Sequence, residues 1–444
     1  MTERIYKDKK FSMLNSIADK CIKKLTDSGV EKSQVKIEAV KKNELCSHTN
    51  DIDLYKTGTN YNLEITVIKN AKMGYSCINN IDEDDIANTL EEVVELTANS
   101  DIDTSNDISD FAPFKHFQIG EEEFNFSQSV NSLKDFISYV AKKHPYTILR
   151  EMIIDFHAIK GAFLNSNGRK YNYSSNYYDF LVKFASKKGL KVSSFNTAKL
   201  KFRKFPDKLY AQGNIEQLIS HSEIMTAQPI SDNFIGDVII TPDCFSNILH
   251  KITDQLSDSQ ICSKVSFFSD KLNKSIASDL FYLSVNPVNH YMAENQFITS
   301  DGYEAQNKNL IENGILKSFL TTDYSFKKMG IENPKTINMN YVVKNGDNKL
   351  SDIIKKVDRG ILLYRFSGGH PAQNGDFSGI AKNSFYIENG VVKYPLSETM
   401  ISGNIFKMLN DIVSISSEVC HSGSYLIPWI QIKDLTVTGN TRNN

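Results

Sequence analysis

The stretch TILREMIIDFHAIKGAFLNSNGRKYNYSSNYYDFLVKFASKK, residues 147–188, alternates apolar and polar side chains over most of its length. A period of two is the pattern of a β-strand, whose successive side chains point to opposite faces of a sheet. Asn167-Gly168 interrupts the run near its middle, and Asn-Gly is a preferred pair for a two-residue hairpin turn. The stretch therefore predicts two long antiparallel strands, and the alternation continues to about residue 203. Its many tyrosines and serines predict a half-exposed sheet.

The residues before this hairpin predict helices packed on further strands. Apolar side chains recur at helical spacing in three segments, and period-two alternation marks three others. The predicted helices span 11–28, about 84–98 and about 129–143, and the predicted strands span 35–40, 63–68 and 71–77. Between the second and third helices, residues 99–128 are rich in Asp, Ser and Asn, which predicts a polar linker over the surface.

The second half of the chain begins with GDVIITPD, which predicts a buried strand that leads into a helix over about 243–257. Most of the remaining sequence predicts strands, with turn signals about every ten residues. Ile-Glu-Asn-Gly occurs at 311–314 and again at 387–390, and each copy predicts a hairpin turn. Two unrelated hairpins and a true internal duplication both remain open.

The elements together predict an α+β protein. We predict an N-terminal region of helices on a mixed sheet over residues 1–230, subdivided near 100–128 by the polar linker. We predict a largely antiparallel β domain with a few helices over residues 231–444.

Composition excludes several classes of function. Of 444 residues, 40% are hydrophobic and 23% are charged, which is usual for a soluble globular protein. The net charge of −2 gives no electrostatic basis for binding nucleic acid. No window approaches the roughly 18 apolar residues that a membrane span needs. The N-terminus is charged and has no apolar region of a signal peptide. Six scattered cysteines without a CxxC pair predict free thiols, and so a cytoplasmic protein.

The stretch ILHKITDQ, residues 248–255, resembles a zinc-peptidase helix with most of its chemistry missing. Such a site needs three protein ligands, an open position for water and a carboxylate base. His250 is a candidate first ligand, but Lys251 occupies the base position and carries the wrong charge. Asp254 lies on the same helix face as His250, whereas Gln255 is a poor zinc ligand.

A rewired metal site stays open as an alternative to a packed or solvated histidine. Its candidate ligands are His250, Asp254, and Cys420 or His421. A second candidate site is the glycine-rich loop GGHPAQNGDFSG, residues 368–379, which lacks the Gly-Lys-Ser/Thr of a phosphate loop. Polar loops with glycines are where binding edges occur. The candidate residues for a peptide groove are Gly375, Asp376, Phe377 and Ser378, with turn capping by Asp376 and Ser378 as the alternative.

The segment GDFSGIAKNSFYIENGVVKYPLSETMISGNIFKMLNDIVSIS, residues 375–416, resembles the signature of the TldD/PmbA family. The matching features are G-D-[FY]-S, a Glu-Asn-Gly turn at 388–390, Y-P-[VL]-[ST]-E at 394–398, and Gly-Asn at 403–404. Residues 301–330 are similar to a further family pattern, and the resemblance covers essentially the whole chain.

The resemblance implies a specific role, because TldD-like members carry an H-E-x-x-x-H helix with zinc and use a C-terminal cysteine as a further ligand. PmbA-like members, also called TldE, lack the motif and pair with a TldD-like subunit. Against that motif this chain matches only His250, and Cys420 alone completes nothing.

The resemblance therefore implies a non-catalytic PmbA/TldE-like subunit of a heterodimeric zinc metallopeptidase that processes unstructured peptides, for example by removing a leader peptide. It implies no cofactor in this chain, zinc in the TldD-like partner, and an extended peptide substrate that adds as a strand to an exposed edge. A homodimer in the absence of the partner stays open. The alternatives are an active metallohydrolase with a rewired His250/Asp254/Cys420 site and a homo-oligomeric peptide-binding regulatory module.

Overall fold

The computed structural model describes residues 8–439, except residues 50, 225–226, 231, 369–370 and 398. Gly369 and His370 of the glycine-rich loop and Glu398 of the Y-P-L-S-E segment therefore lie outside the described residues. None of the helices in the described part of the chain is long and apolar enough to cross a membrane.

In the described part of the first half, eight strands form one sheet in the order β3-β2-β1-β5-β6-β4, with β7 and β8 also paired to β6. The strands are β1 (Lys32–His48), β2 (Asp51–Lys69), β3 (Lys72–Ile78), β4 (Lys115–Ile119), β5 (Thr147–Asn165), β6 (Lys170–Lys188), β7 (Lys191–Val192) and β8 (Asn196–Phe202). The predicted β5–β6 hairpin is confirmed as antiparallel. Because β4 runs parallel to β6, the sheet is mixed, as predicted.

Helices cover one face of this first sheet. They are α1 (Lys9–Asp27), α2 (Glu83–Asn99) and α3 (Phe126–Lys143), followed by a 3₁₀ turn (Leu209–Ala211) and α4 (Ile215–Ser222). The apolar stripe of α3 packs against alternate residues of β6, with Phe136 and Phe180 in edge-to-face contact at 6.0 Å between ring centroids. The three predicted N-terminal helices are confirmed, with bounds that differ by at most three residues.

Two predictions about this sheet are wrong in part. The strands over 147–203 are not half exposed, because the second face of β6 is buried against the other half of the chain. Tyr171 and Tyr173 cluster there with Phe297, and the Ser175 hydroxyl donates to the Asn295 carbonyl at 2.8 Å. The segment 99–128 is not only a surface linker, because it contains β4, whose Phe117 ring stacks on Phe297 at 4.9 Å.

In the described part of the second half, thirteen strands form a second sheet. They are β9 (Phe234–Ile240), β10 (Leu283–Val285), β11 (Lys308–Glu312), β12 (Ile315–Leu316), β13 (Tyr341–Val343), β14 (Arg359–Leu363), β15 (Arg365–Gly368), β16 (Asp376–Lys382), β17 (Phe385–Glu388), β18 (Val391–Pro395), β19 (Met400–Asn404), β20 (Ile412–His421) and β21 (Tyr425–Thr438). Antiparallel pairs dominate, with parallel pairs at β13–β21 and β9–β14. The predicted α+β class is confirmed. The division near residue 230 stays a prediction.

Short helices connect these strands. They are α5 (Pro242–Asp254), α6 (Asp258–Cys262), α7 (Asp323–Met329), α8 (Leu350–Lys355) and α9 (Ile405–Asn410). The predicted helix over 243–257 is α5, which begins with Pro242 in its first turn and ends three residues earlier than predicted. Both Ile-Glu-Asn-Gly copies form hairpin turns, at β11–β12 and β17–β18. Asn313-Gly314 and Asn389-Gly390 adopt positive φ at both positions, which explains why the same dipeptide serves twice.

Candidate functional site

A cavity of about 870 Å³ lies between the two sheets, and we refer to it as the main cavity. Its wall is formed by α5 together with β8, β13, β15 and β21. Helix α5 is held in place by its buried stripe of Phe245, Leu249 and Ile252, which packs into the core of the second sheet. The opposite face of α5, with His250 and Lys251, is thereby turned to the cavity.

His250 takes part in a polar network with a buried tyrosine. Its Nδ1 lies 2.9 Å from the hydroxyl of Tyr341, which lies 3.0 Å from Thr253 Oγ1 and donates to Asn338 Oδ1 at 3.0 Å. The His250 side chain is exposed toward the cavity, and its partial burial lowers the pKa of the imidazole. Burial raises the pKa of Tyr341 to about 12. Both groups are therefore neutral near pH 7, and the network orients the imidazole.

The two positions that a zinc peptidase would use beside His250 are occupied here by Lys251 and Gln255, which have other roles. Lys251 lines the main cavity, and its ammonium group has no lone pair to take a proton from water. Gln255 is the C-cap residue of α5, and its Oε1 accepts a hydrogen bond from the Phe267 backbone N–H at 3.1 Å. Gln255 thus fastens the loop that comes after the helix.

The alternative ligands do not assemble around His250. Asp254 is exposed and does not line the cavity, and His421 Nε2 lies 2.7 Å from the Tyr291 carbonyl oxygen. Cys420 is buried, and burial raises the pKa of its thiol to about 12. Among the described residues, no three His, Cys, Asp or Glu side chains come together as a metal-binding group. The donor set around His250 therefore does not fit zinc.

Of the candidate peptide-groove residues, some stabilise the local turn and one lines the main cavity. Asp376 accepts hydrogen bonds from the amides of Asn374, at 2.6 Å, and Asn404, at 2.9 Å, and so fixes the turn before α9. A side chain at Gly375 would collide with the Phe406 ring. Of the four candidates, all within the described residues, Phe377 lines the main cavity and Ser378 does not. The Phe377 ring meets Phe366 edge-on at 5.4 Å.

Strand β15 offers an edge beside the main cavity. Within the described residues, β15 pairs with β16 on one side and with no strand on the other. Arg365, Phe366 and Gly368 of this strand line the cavity. The Phe366 backbone N–H forms a hydrogen bond with the Cys244 thiol of α5, and the other backbone groups of this edge can pair with an extended peptide.

Sequence reasoning missed several residues of this site. Asp243 reads in the sequence only as a helix-start residue, yet its carboxylate accepts from the Asn214 amide at 2.5 Å and from the Tyr425 hydroxyl. Lys199 and Tyr341 carried no local signal, because they join the cavity from strands distant in sequence. The Pro242-Asp243 pair after a buried strand was the one available indication, since it places a carboxylate at the first turn of the helix that forms the cavity wall.

Comparisons with known proteins agree with the fold. A profile of the PmbA/TldA metallopeptidase C-terminal domain matches residues 235–439, and one of PmbA/TldA metallopeptidase domain 1 matches residues 48–97. Together these profiles match more than half of the chain, and they confirm the predicted family.

Similar relatives carry names from both branches of that family. A "Metalloprotease PmbA homolog" of Haemophilus influenzae is 29% identical over 208 residues, which is 46% of this chain and 46% of that protein. The alignment thus spans about half the length of that relative. A "Zinc metalloprotease TldD homolog" of Saccharolobus solfataricus is 23% identical over 95% of this chain and 99% of that protein.

Solved structures share the fold. TldE from Thermococcus kodakarensis superposes with a TM-score of 0.80 at 18% identity, covering 95% of this chain and all of that one. A Thermotoga maritima protein titled a putative modulator of a DNA gyrase superposes with a TM-score of 0.79 at 16% identity, covering 96% of this chain and all of that one. At these identities the structures establish the architecture, while the PmbA-named relatives support the predicted PmbA/TldE-like branch.

Proposed function

This chain belongs to the PmbA/TldD metallopeptidase family, and from that membership we propose that it is a PmbA/TldE-like subunit without hydrolytic activity of its own. It works with a TldD-like protease subunit, which supplies the zinc and the general base. This chain holds the extended peptide that the partner cleaves.

One observation carries the proposal. Helix α5 directs His250 and Lys251 into the main cavity, so the residue beside the histidine is a cation where hydrolysis needs a proton acceptor. Zinc hydrolysis requires three ligands and a base near the bound water. Because Gln255 caps the helix and Asp254 faces solvent, the chain supplies one suitable ligand at this place.

The main cavity and the edge of β15 that pairs with no strand among the described residues support the peptide-holding part of the proposal. A cavity of about 870 Å³ accommodates several residues of an extended chain. Backbone pairing to β15 is independent of side-chain sequence, which suits a subunit that handles unstructured peptides.

Reconstitution tests this proposal. The chain and a TldD-like subunit from the same host are purified separately and assayed alone and mixed, with an unstructured peptide that carries a fluorophore and a quencher. We expect cleavage by the mixture, no cleavage by this chain alone, and a stable complex on size-exclusion chromatography. With His250→Ala in this chain the mixture should still cleave the peptide, whereas mutation of the partner's zinc ligands should abolish cleavage.

The same experiment separates the alternatives. Hydrolysis by this chain alone, with close to one zinc per chain, would favour a metallohydrolase with a rewired His250/Asp254/Cys420 site. Self-association with peptide binding, and no complex with the TldD-like subunit, would favour a homo-oligomeric regulatory module.

We place the protein in the cytoplasm. All six cysteines lie in the described residues, and each has a free thiol. Free thiols are typical of reducing compartments. Fractionation of host cells, with immunoblotting of each fraction, tests this location.

A further inference from the structure

We infer that the main cavity is a carboxylate-binding site that selects extended peptides with acidic groups. The site consists of Lys199, Lys251 and Arg365, whose charged side chains line the same cavity. The inference rests on the proposed function, because it names the kind of peptide that the chain holds.

Three separate elements deliver these cations. Lys199 comes from β8 of the first sheet, Lys251 from α5, and Arg365 from the first position of β15. The whole chain has a net charge of −2, so the convergence of three cations on one concavity is a local feature. A concave surface of one sign of charge concentrates ligands of the opposite sign.

The three cations are not engaged by acidic groups of the protein. Across the described residues, none of Lys199, Lys251 and Arg365 forms a salt bridge within 4.0 Å, whereas the neighbouring Lys201 and Arg359 each do. Arg365 Nη1 donates to the Phe195 carbonyl oxygen at 3.2 Å, which holds the side chain without neutralising it. Each cation therefore remains available to a ligand.

The two carboxylates among the described lining residues already have partners. Glu294 pairs with Lys201 at 2.5 Å, and Lys201 is not itself a lining residue. Asp243 is held by the Asn214 amide and the Tyr425 hydroxyl. These contacts fix both carboxylates in place, so they do not swing over to pair with Lys199, Lys251 or Arg365.

The position of Lys251 determines the sign of the ligand charge that the cavity attracts. In a zinc peptidase a carboxylate would stand beside the histidine and repel an acidic ligand. Here an ammonium stands there, on the cavity face of α5, and attracts one. Arg365 begins the strand whose free edge is proposed to pair with the peptide, so a peptide bound to β15 passes directly beside a guanidinium that can bind a carboxylate through two hydrogen bonds.

The experiment measures binding of three rhodamine-labelled ten-residue peptides to the full chain by fluorescence anisotropy. The peptides are identical except for Glu, Gln or Lys at four positions, and each is made with a free and with an amidated C-terminus. We expect the Glu peptide to bind about tenfold more tightly than the amidated Gln peptide. This preference should shrink as salt rises from about 50 to about 300 mM. Tighter binding of the free-acid Gln peptide than of its amide would assign the site to a terminal carboxylate, and preference for Glu in both forms would assign it to side chains.

Charge reversal provides the decisive comparison. Lys199→Glu and Lys251→Glu should each weaken binding of the Glu peptide and strengthen binding of the Lys peptide. A gain for the Lys peptide also proves that the variant is folded. The matched control is Lys393→Glu, at an exposed lysine of β18 outside the cavity, which should leave all affinities unchanged.

Three results would overturn the inference. Equal affinities for the three peptides would show peptide binding without charge selection, and the proposed companion role would survive. An equal effect of Lys393→Glu and Lys251→Glu would show that only net charge matters. Absence of binding by every peptide would contradict this site and the peptide-holding part of the proposed function together, while leaving the complex with a TldD-like subunit to be judged by reconstitution.

Discussion

Two buried tyrosines in the wall of the main cavity differ in the hydrogen bonding of their hydroxyl groups, so the same substitution should change the free energy of unfolding differently at each. Tyr341 and Tyr364 are 3% and 6% exposed. The Tyr341 hydroxyl lies within 3.0 Å of polar atoms of His250, Thr253 and Asn338. The Tyr364 hydroxyl is buried and has no hydrogen-bond partner among the described residues.

The magnitudes derive from these contacts. Tyr341→Phe removes one hydroxyl and leaves the Asn338 side-chain oxygen and His250 Nδ1 without it, which should cost about 2 kcal/mol of unfolding free energy. Tyr364→Phe removes a hydroxyl that is desolvated without compensation, so stability should be unchanged or should rise by up to about 1 kcal/mol. The two variants should therefore differ by about 2–3 kcal/mol, although the chemical change is the same.

The assay is urea unfolding monitored by tryptophan fluorescence. Trp429 is the single tryptophan of the chain and lies 8% exposed in β21, so it reports unfolding of the sheet that contains Tyr341 and whose strands β14 and β15 flank Tyr364. A loss of stability for Tyr364→Phe equal to that for Tyr341→Phe would refute the reasoning, because the partnered and unpartnered hydroxyls would then contribute alike.

Two further predictions concern pH and backbone packing. Burial lowers the pKa of His221 to about 4, below its usual 6.5, so the folded protein holds the ring neutral while the unfolded chain protonates it. This contribution to stability is complete above about pH 6.5 and is lost as pH falls toward 4, by about 2 kcal/mol at pH 5. Between about pH 7.5 and about pH 5, the free energy of unfolding should therefore fall by about 2 kcal/mol more in the wild type than in His221→Phe, and equal losses would contradict this. Gly423 has a φ of +86°, and an added Cβ would lie 1.9 Å from the Lys201 carbonyl oxygen. Gly423→Ala should lower the free energy of unfolding by more than about 3 kcal/mol or abolish soluble expression. The control is Gly58→Ala, whose added Cβ meets nothing within 4 Å and whose free energy of unfolding should stay within about 0.5 kcal/mol of the wild type.

Local signals were sufficient for the elements of the fold. The alternation over 147–188 and the Asn167-Gly168 turn predict β5 and β6 because strand period and turn chemistry are properties of adjacent residues. The Asn-Gly turns at 313–314 and 389–390 are predictable for the same reason.

Burial on the second face of β6 was not predictable in this way. Tyr171 and Tyr173 have the composition of a half-exposed sheet, and it is Phe297, from the other half of the chain, that covers them. A strand's own pattern shows which residues share a face, but it does not show what packs on that face.

The candidate site also has residues that a local motif predicts and residues that only the fold brings together. His250 and Lys251 were identifiable because a zinc helix is a local motif, and its missing parts are visible within the short stretch 248–255. Tyr341 was not, because it meets His250 across 91 positions of sequence. The cations of the main cavity also come from three distant segments, and each alone looks like an ordinary solvated lysine or arginine.

The central claim is that this chain lacks the means to activate water, and a peptidase assay on the chain alone tests it most directly. The purified chain is incubated with zinc and an unstructured fluorogenic peptide, with and without a chelator, beside His250→Ala. We predict the same background rate in every sample. Cleavage that the chelator suppresses and that disappears in His250→Ala would contradict the claim.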